Sequence, residues 1–495
     1  MNEKASEGPR QSHGGPPAVL TIPQTAEGRP ARLVTLFGSL DARGSKRVHY
    51  IFDDGSPAYA EALLPADGPV RSMTLQTPAA AWHERELHDK FGIEIVGHPD
   101  LRPLIFHENW PECVHPMVDT VSEVPWANRK YRFLEVQGEG VAEVAVGPVH
   151  AGIIEPGHFR FSVVGDTILH LELRHFYTHK GTEKLFQGRT VADGVMLAES
   201  VSGDNCFAHA VCCCQAAELA LGMSVPPRAA AIQLIGLELE RLVCHISDVG
   251  GLCTDVGFAV AAASATRIKE TLLEASAQCC GTRYWRGIAV PGGLRRDFES
   301  ARVAELARAV ASASAEFANL ARMILETPSI QNRFEGAGIL SSETARDLGV
   351  VGPVARASGV DYDVRREHPY GGYGQGIEVP TTHYGDVMAR ARIRIGEAAI
   401  SARLIQETAG ALSPGSIFEP AAPAGDAQGF SAVESPRGEL LYWLEVRGGR
   451  LARCHIQSPS FQNWPAMPFA VADNIIADFP LINKSFNLSY SGCDR

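Results

Sequence analysis

Residues 226–251, PPRAAAIQLIGLELERLVCHISDVGG, set the architecture of the larger part of the chain. This stretch begins with a proline pair and ends with a glycine pair, which is the punctuation expected at the two ends of a helix. Its apolar residues recur at spacings of 4, 3, 4 and 3, which places them on one helical face: Ile235, Leu239, Leu242, Ile246 and Val249. The stretch therefore predicts a long helix with one buried face.

Two later stretches repeat this apolar rhythm and predict two further long helices. The first carries Val303, Leu306, Val310, Ala313, Phe317, Leu320 and Ile324. The second carries Met388, Ala391, Ile395, Ala398, Ala402, Ile405, Ala409 and Leu412. Three helices with continuous apolar stripes pack side by side as a bundle, and such stripes form its core. We therefore predict no cofactor site on them.

The first part of the chain predicts a separate α+β domain at residues 31–111. VTLFGSL and VHYIFDD have the texture of strands, and AAAWHERELHDKFG is a charged helix candidate. Residues 1–30 are polar and rich in Gly and Pro, which predicts a disordered leader. Residues 112–145 include irregular, proline-containing sequence and are interpreted as a linker.

Residues 146–495 predict a mainly helical large domain. Three strand-like segments follow its last long helix: GFSAVES, GELLYWLEVRGG and RLARCHIQSP. The predicted fold class is therefore an α+β N-terminal domain followed by a mainly helical domain that has a helix-bundle core and peripheral strands.

Composition excludes several classes of function. The chain has 495 residues, a formal net charge of -12 and no basic tract, whereas nucleic-acid binding needs clustered Lys and Arg. It has no apolar run of roughly 18 residues that could span a bilayer, and its start lacks the apolar core of a secretory signal. The 11 cysteines, several of them adjacent, suit buried positions better than a secreted disulfide framework. We expect a cytoplasmic protein that other subunits hold at any membrane.

Three groups of motifs in the large domain carry a family resemblance. They are GPVHAGIIEPGHFRF with RHFYTHKGTEKL (147–161 and 174–185), the helix pair that ends in LALGMSVPPRAAAIQLIGLELERL (219–242), and VESPRGELLYWLEV with the terminal DFPLINKSFNLSYSGCDR (433–446 and 478–495). In this order they resemble the large subunit of energy-converting [NiFe]-hydrogenases and its relative, the 49-kDa subunit of respiratory complex I.

The N-terminal domain resembles a second subunit of the same complex. WHERELHDKFGIEIVGHPDLRPLIF, Trp82 to Phe106, is similar to the signature of the 30-kDa subunit of complex I. The two subunits are fused in large subunits of the formate-hydrogenlyase type. The resemblance thus covers nearly the whole chain beyond the leader and implies the fold predicted above.

The hydrogenases of this family hold nickel and iron with four Cys thiolates in two C-x-x-C pairs. Soft thiolates suit both metals, and two of the thiolates must bridge the nickel and the iron. The N-terminal family motif is R-x-C-G-x-C-G-F-A-H. When the chain is aligned on its own FAH at 207–209, the two ligand positions hold Ser202 and Asn205. Neither residue supplies a thiolate.

The C-terminal family motif is D-P-C-x-x-C-x-x-R. Aligned on Arg495, its ligand positions hold Ser489 and Gly492. All four thiolates are thus replaced, and the resemblance implies that a normal [NiFe] centre does not form. Cys206 and Cys493 each lie one residue beyond a replaced position, where a small buried residue is the expected role and a mutual pair or another metal is the alternative.

With the metal lost, the resemblance to complex I implies a quinone headgroup site. Tyr177 in FYTHKG matches the Tyr that contacts the headgroup, and a buried phenol is a suitable proton donor. His150 matches the first His of the preceding hairpin, whereas the headgroup His has no clean counterpart. Glu155 lies where hydrogenases carry a proton-relay Glu. Packing is the alternative role of Tyr177, and an ion pair is that of Glu155.

Arg437 matches the Arg that contacts the diatomic ligands of iron in hydrogenases, and the resemblance assigns it to cofactor binding. If the metal centre is absent, a structural salt bridge is the alternative role of Arg437. The alternating His175, Tyr177 and His179 invite a metal interpretation, but no carboxylate or Cys completes the set. The chain has no CxxC motif for an iron–sulfur cluster and no dinucleotide fingerprint. Electrons must therefore come from a partner small subunit, and any NADH chemistry would also lie elsewhere.

The functional prediction is a nickel-less, complex I-related subunit of a membrane-associated oxidoreductase. It would couple electrons from a partner Fe–S subunit to quinone or another acceptor, and to ion movement in antiporter-like membrane subunits. The alternatives are a non-catalytic scaffold with a filled cavity and an active hydrogenase with altered ligands. Large side chains around the replaced ligand positions would favour the scaffold.

Overall fold

A computed structural model describes residues 17–120, 123–151, 154–374, 376–420 and 425–495. The chain divides into two units, Met1–Lys130 and Tyr131–Arg495. The predicted disordered leader lies mostly outside the described residues. No helix in the described ranges has the length and apolar character needed to cross a membrane.

The first unit is α+β, as predicted. Its main sheet is antiparallel in the order β1-β2-β3, β4 and β5 form a short parallel pair, and helix α1 packs on β1. The elements are β1 (Arg32–Leu40), β2 (Lys46–Asp53), β3 (Ala60–Pro65), β4 (Val70–Arg71), α1 (Ala81–Phe91) and β5 (Ile95–Val96). The charged helix is largely buried: Glu84 accepts hydrogen bonds from Met73 N and the Thr74 hydroxyl, which satisfies a neighbouring loop.

Three small antiparallel sheets lie within the described residues of the second unit. Their orders are β6-β7-β8, β9-β10 and β11-β12-β13. The strands are β6 (Val141–Val146), β7 (His158–Val164), β8 (Thr167–Arg174), β9 (Ala289–Val290), β10 (Gly293–Leu294), β11 (Ala427–Ser435), β12 (Gly438–Arg447) and β13 (Arg450–Gln457). The last sheet occupies the three strand-like segments predicted after the last long helix, and a helix, α4, packs against it.

Four long helices, α5, α6, α7 and α12, form the core of this unit. Helix α5 packs against α6 and α12, and α7 packs against the same two, which closes a bundle. The helices of the unit are α2 (Thr182–Leu185), α3 (Val191–Ala198), α4 (Cys206–Leu221), α5 (Pro227–Asp255), α6 (Ala259–Cys280), α7 (Ser300–Glu326), α8 (Pro328–Phe334), α9 (Ser342–Asp347), α10 (Gly352–Ala357), α11 (Val364–Glu367), α12 (Val387–Gly410), α13 (Pro459–Asn463), α14 (Met467–Val471), α15 (Phe479–Phe486) and α16 (Tyr490–Asp494). The predicted mainly helical domain with a helix-bundle core and peripheral strands is confirmed.

The predicted apolar stripes are buried on α5 and α7, but the prediction differs in two places. On α12 the residues that face the core include Ile393 and Glu397, whereas Ile395 is half-buried. Helix α5 also continues through its glycine pair to Asp255, because Gly250 is a packing position: a Cβ there would lie 2.7 Å from the Cβ of Ala265 on α6.

The bundle encloses charge as well as apolar side chains. His245 on α5 lies with its Nε2 2.8 Å from Glu397 Oε2 on α12, and Arg356 Nε donates to the other oxygen of that carboxylate at 2.8 Å. All three side chains are fully buried. Buried charges persist only when they are paired and hydrogen-bonded, so this network fixes the register of α5, α10 and α12.

Candidate functional site

The replaced ligand positions at the two ends of the large domain come together. Ser202 lies between α3 and α4, and Ser489 begins α16, yet their Oγ atoms are 2.9 Å apart. The backbone N–H of Gly492 donates to Ser489 Oγ at 2.9 Å, and a Cβ on Gly492 would lie 3.4 Å from Ser202 Oγ. Asn205, the fourth position, is buried directly before α4. The geometry therefore joins the two motifs that the sequence alignment paired.

These side chains do not fit a [NiFe] centre. Ser202 donates its proton to Asp204 Oδ1 at 2.6 Å, since a carboxylate only accepts, and the Ser489 hydroxyl therefore donates to Ser202. As metal ligands, neutral hydroxyl oxygens are hard, and Gly492 has no side chain that could ligate a metal. The site lacks the soft bridging thiolates that nickel and low-spin iron require.

A cavity of about 710 Å³, here called the central cavity, opens beside these positions. Its walls come from the β6–β7 connection, the α3–α4 connection, the end of α5 and the C-terminal segment. It brings together five of the predicted residues: His150, Glu155, Ser202, Arg437 and Ser489. Apolar walls come from Phe159, Ile154, Phe479 and Leu488.

His150 and Glu155 are both held by backbone groups at this cavity. His150 Nε2 lies 2.7 Å from the carbonyl oxygen of Gly157; because a carbonyl only accepts, this nitrogen carries the proton. Glu155 Oε2 accepts the backbone N–H of Ser491 at 3.0 Å, which ties the β6–β7 connection to the C-terminal segment. Both side chains are therefore oriented rather than free to rotate.

Arg437 forms buried salt bridges, as the alternative prediction for this residue stated. Its Nη2 donates to Asp204 Oδ2 at 2.7 Å, and its Nη1 donates to Asp248 Oδ2, which also accepts from Arg394 Nε at 3.0 Å. Burial raises the pKa of Asp248, but the Arg437 and Arg394 guanidiniums outweigh burial and hold it below its ordinary value. Asn487 donates to the same carboxylate, so Asp248 connects Arg437 with the C-terminal motif.

Tyr177 is not among the described residues that line the central cavity. Its side chain is 39% exposed. The next two residues hold the C-terminus: Thr178 donates twice to Asp494 Oδ2, and the His179 ring bonds to the Asp494 carbonyl. Burial raises the pKa of Asp494 to about 6. The segment therefore connects an exposed phenol to the C-terminal motif.

The cysteines and histidines supply no metal site. In the part of the chain that the structure describes, no group of three or more His, Cys, Asp or Glu is placed to hold an ion. Cys206 Sγ lies 3.2 Å from the carbonyl of Tyr284, and burial raises its pKa to about 12, so it is held as a thiol. His175 packs against Trp464 and Tyr490, and burial lowers its pKa to about 3.

The titratable residues of the central cavity that sequence reasoning missed include Asp255 and Lys484. Burial raises the pKa of Asp255, and its Oδ2 has no hydrogen-bond partner among the described residues. The prediction that the helix ends at its glycine pair hid Asp255, since only the longer α5 brings it to the cavity. Lys484 on α15 lies across from Gly251 of that same helix end.

Comparison with known proteins identifies the family. Residues 255–424 and 417–495 match the family described as respiratory-chain NADH dehydrogenase, 49 Kd subunit, and residues 36–122 match the 30 Kd subunit family. The chain is 32% identical over 483 residues to formate hydrogenlyase subunit 5 of Escherichia coli (strain K12), a match that covers 94% of this chain and 84% of that protein. The chain belongs to this family of complex I and hydrogenase subunits. It carries the 30 Kd and 49 Kd parts fused.

Other relatives agree with this family membership. Hydrogenase-4 component G of Escherichia coli (strain K12) is 33% identical over 454 residues, 88% of this chain and 78% of that protein. NADH-quinone oxidoreductase subunit 4 of Thermus thermophilus is 29% identical over 387 residues, 72% of this chain and 94% of that protein. A chain of an archaeal membrane-bound sulfane sulfur reductase has the same fold, with a TM-score of 0.68 and 24% identity over 72% of this chain and 99% of that one.

Proposed function

We propose that this chain is a nickel-less peripheral subunit of a membrane-bound oxidoreductase complex. It receives electrons from the cluster of a partner Fe–S subunit and passes them to a small acceptor, of the quinone class, bound in the central cavity. Antiporter-like membrane subunits then couple this transfer to ion movement on the cytoplasmic side of the inner membrane. Any NADH chemistry lies in another subunit.

The observation that carries this proposal is that the central cavity is open. A volume of about 710 Å³ lies beside Ser202 and Ser489, two of the four positions at which the hydrogenase motifs carry Cys. In a purely structural subunit, large apolar side chains that filled this space would make the fold more stable. A cavity with apolar walls and a few fixed polar groups is the usual form of a small-molecule site.

The polar groups of the cavity suit proton-coupled reduction of an acceptor. Glu155 lies near the ammonium of Lys180, whose pKa burial lowers while Glu155 and Asp494 raise it. Lys180 donates to the carbonyls of Ser200 and Val201, directly before Ser202. Glu155 on the cavity wall thus has a buried ammonium group nearby, and His150 presents a ring of fixed tautomer to the acceptor.

Exposed apolar residues at the cavity support a partner surface. Val149 is 85% exposed and Ile154 46% exposed on the β6–β7 connection, and Tyr177 is the next exposed aromatic residue along the chain. Exposed apolar side chains that cluster around a cavity commonly indicate a surface that binds a partner protein. We assign this surface to the Fe–S subunit, which would bring its cluster to the cavity mouth and cover Tyr177. An acceptor that extends from the cavity into this subunit interface would then contact the phenol.

The test uses the complex purified from its native host. Electrons are supplied to the cluster of the Fe–S subunit by a chemical reductant, and a short-chain quinone is the acceptor. Metal analysis by mass spectrometry should find iron but no stoichiometric nickel. Glu155→Gln and Tyr177→Phe should each lower quinone reduction at least tenfold, and Tyr384→Phe, which alters a 72% exposed tyrosine, should not. Stoichiometric nickel would reopen hydrogenase chemistry, and an intact complex without quinone reduction would favour the scaffold.

A further inference from the structure

A second cavity of about 290 Å³, here called the side cavity, lies between α4, α5, α6 and the turn that follows α6. Its aromatic wall is formed by Phe207 and Trp285, whose ring centroids are 5.3 Å apart at 62°. Leu239 and Leu273 face this wall. Tyr284, 49% exposed, lies at the outer end. The cavity has a volume suited to one or two fused rings.

Two unfavourable backbone features accompany this aromatic wall. Gly236 lies in the interior of the 29-residue helix α5, where glycine destabilises a helix by roughly 0.5–1 kcal/mol relative to alanine. A Cβ at Gly236 would lie 2.6 Å from the Trp285 ring and closer still to that of Phe207. Trp285 itself has a φ of 57°, a left-handed conformation that bulky residues avoid. Strained residues of this kind concentrate at ligand sites.

The polar inner end contains Glu240, held at the start of α4. Its carboxyl oxygens accept the backbone N–H groups of Phe207 and Ala208 at 2.8 and 3.0 Å. Burial raises the pKa of Glu240 to about 8, and its carboxyl group lines the cavity. Arg437 is already paired with two aspartates. The inner end therefore presents a carboxyl group whose raised pKa favours the protonated, hydrogen-bond-donating form more than that of an ordinary Glu does.

We propose that the side cavity binds an uncharged, flat molecule of one or two rings that carries a hydrogen-bond acceptor oxygen. The ring packs against Phe207 and Trp285, and the oxygen accepts from Glu240. An ionic group is disfavoured beside Arg437, because Arg437, Asp204 and Asp248 are already paired with one another there. This inference goes beyond the proposed function, since it requires neither the central cavity nor a partner cluster.

The side cavity also communicates with the central cavity. Both are lined by Gly203, Asp204, Arg437 and Asn487, so the Arg437–Asp204 salt bridge is a wall common to the two.

The test is a titration of the full-length chain with menadione, an uncharged two-ring quinone, followed by tryptophan fluorescence corrected for absorbance. Wild type should show saturable quenching, and Trp285→Phe should lose most of its amplitude. Ser247→Phe, which fills the cavity from α5, should weaken binding at least tenfold, whereas Ser312→Phe on the exposed face of α7 should leave it unchanged.

Three results would overturn the proposal: no saturable quenching, quenching of undiminished amplitude in Trp285→Phe, or wild-type affinity in a folded Ser247→Phe. If Ser247→Phe does not fold, as judged by circular dichroism, the Trp285→Phe amplitude decides alone. The readout does not depend on electron transfer. A failure here therefore leaves the proposed function standing, and a failure of quinone reduction in the complex leaves this site standing.

Discussion

Ser202 Oγ lies 2.9 Å from Ser489 Oγ, although 287 positions separate the two residues in the chain. The hydrogenase motifs to which this sequence was aligned carry Cys at both positions. Here a hydroxyl–hydroxyl hydrogen bond joins them. The fold therefore brings the two motif positions into contact, although neither residue supplies a thiolate.

We expect Ser202→Cys combined with Ser489→Cys to form a disulfide under mild oxidation. The two Oγ atoms are already in contact, and a small rotation of each side chain brings two sulfurs to bonding distance. After oxidation and denaturation, the variant should show the same number of reactive thiols as wild type, and two more after reduction. Ser200→Cys with Ser489→Cys is the control, because Ser200 is exposed and should remain reduced. Two extra thiols in the oxidised test variant would contradict the contact between Ser202 and Ser489.

Arg437→Met should destabilise the large domain by about 2 kcal/mol, because Asp248 is then left with Arg394 and the 37% exposed Asp204 loses its guanidinium partner. Urea unfolding followed by circular dichroism measures the change. The control is Arg267→Met, which breaks a pair with Glu316 in which both side chains are at least 45% exposed. Such surface pairs contribute about 0–1 kcal/mol. Equal losses in the two variants would show that Arg437 carries no special electrostatic role.

The bundle helices could be predicted from sequence because an apolar stripe is a local property. The stripe on α7, from Val303 to Ile324, depends only on a period that holds over 22 residues of one segment. Helix α6 was missed because only three of its eight buried residues are large and apolar, Ile268, Leu272 and Leu273, so its apolar stripe is short.

The candidate site could be predicted only where a family motif supplied long-range information. The alignment paired Ser202 with Ser489 across the whole domain, and the structure places them in contact. No motif pairs Arg437 with Asp204, 233 positions away, and periodicity cannot reveal a contact between two isolated charges. Asp255 was missed because the sequence alone does not distinguish a glycine pair inside a helix from one that ends a helix. Here Gly250 packs against α6 and the helix continues to Asp255.

Gly352→Ala should destabilise the domain by about 3 kcal/mol through the loop that carries Arg437. Gly352 has a φ of 71°, and a Cβ there would lie 2.6 Å from Gly438 Cα and closer still to the Arg437 carbonyl. The matched control is Gly449→Ala, at a φ of 76° with open space around it, which should cost only the conformational penalty of about 1 kcal/mol. Thermal or urea unfolding separates the two effects. If both variants lose the same stability, crowding against the Arg437 loop contributes nothing.

Glu218→Gln should make the chain more stable than wild type at pH 8 and leave it equal at pH 4. Glu218 is 5% exposed and accepts the backbone N–H of Gly292 at 2.8 Å, and burial raises its pKa to about 7. Between its ordinary pKa of 4.5 and about 7, the unfolded chain loses this proton while the folded chain keeps it, so the unfolding free energy falls as pH rises. Above about pH 7 the full penalty of about 3 kcal/mol is present.

Glutamine keeps the acceptor oxygen for Gly292 and has no proton to lose, so its unfolding free energy should not show this fall. Urea unfolding of both proteins from pH 4 to 8 measures the difference. Glu326→Gln, at the exposed end of α7, is the control and should follow the wild-type profile at every pH. Parallel profiles for wild type and Glu218→Gln would mean that Glu218 is ionised in the folded chain. In that case water or a rearranged neighbour must reach the carboxylate at the start of β10.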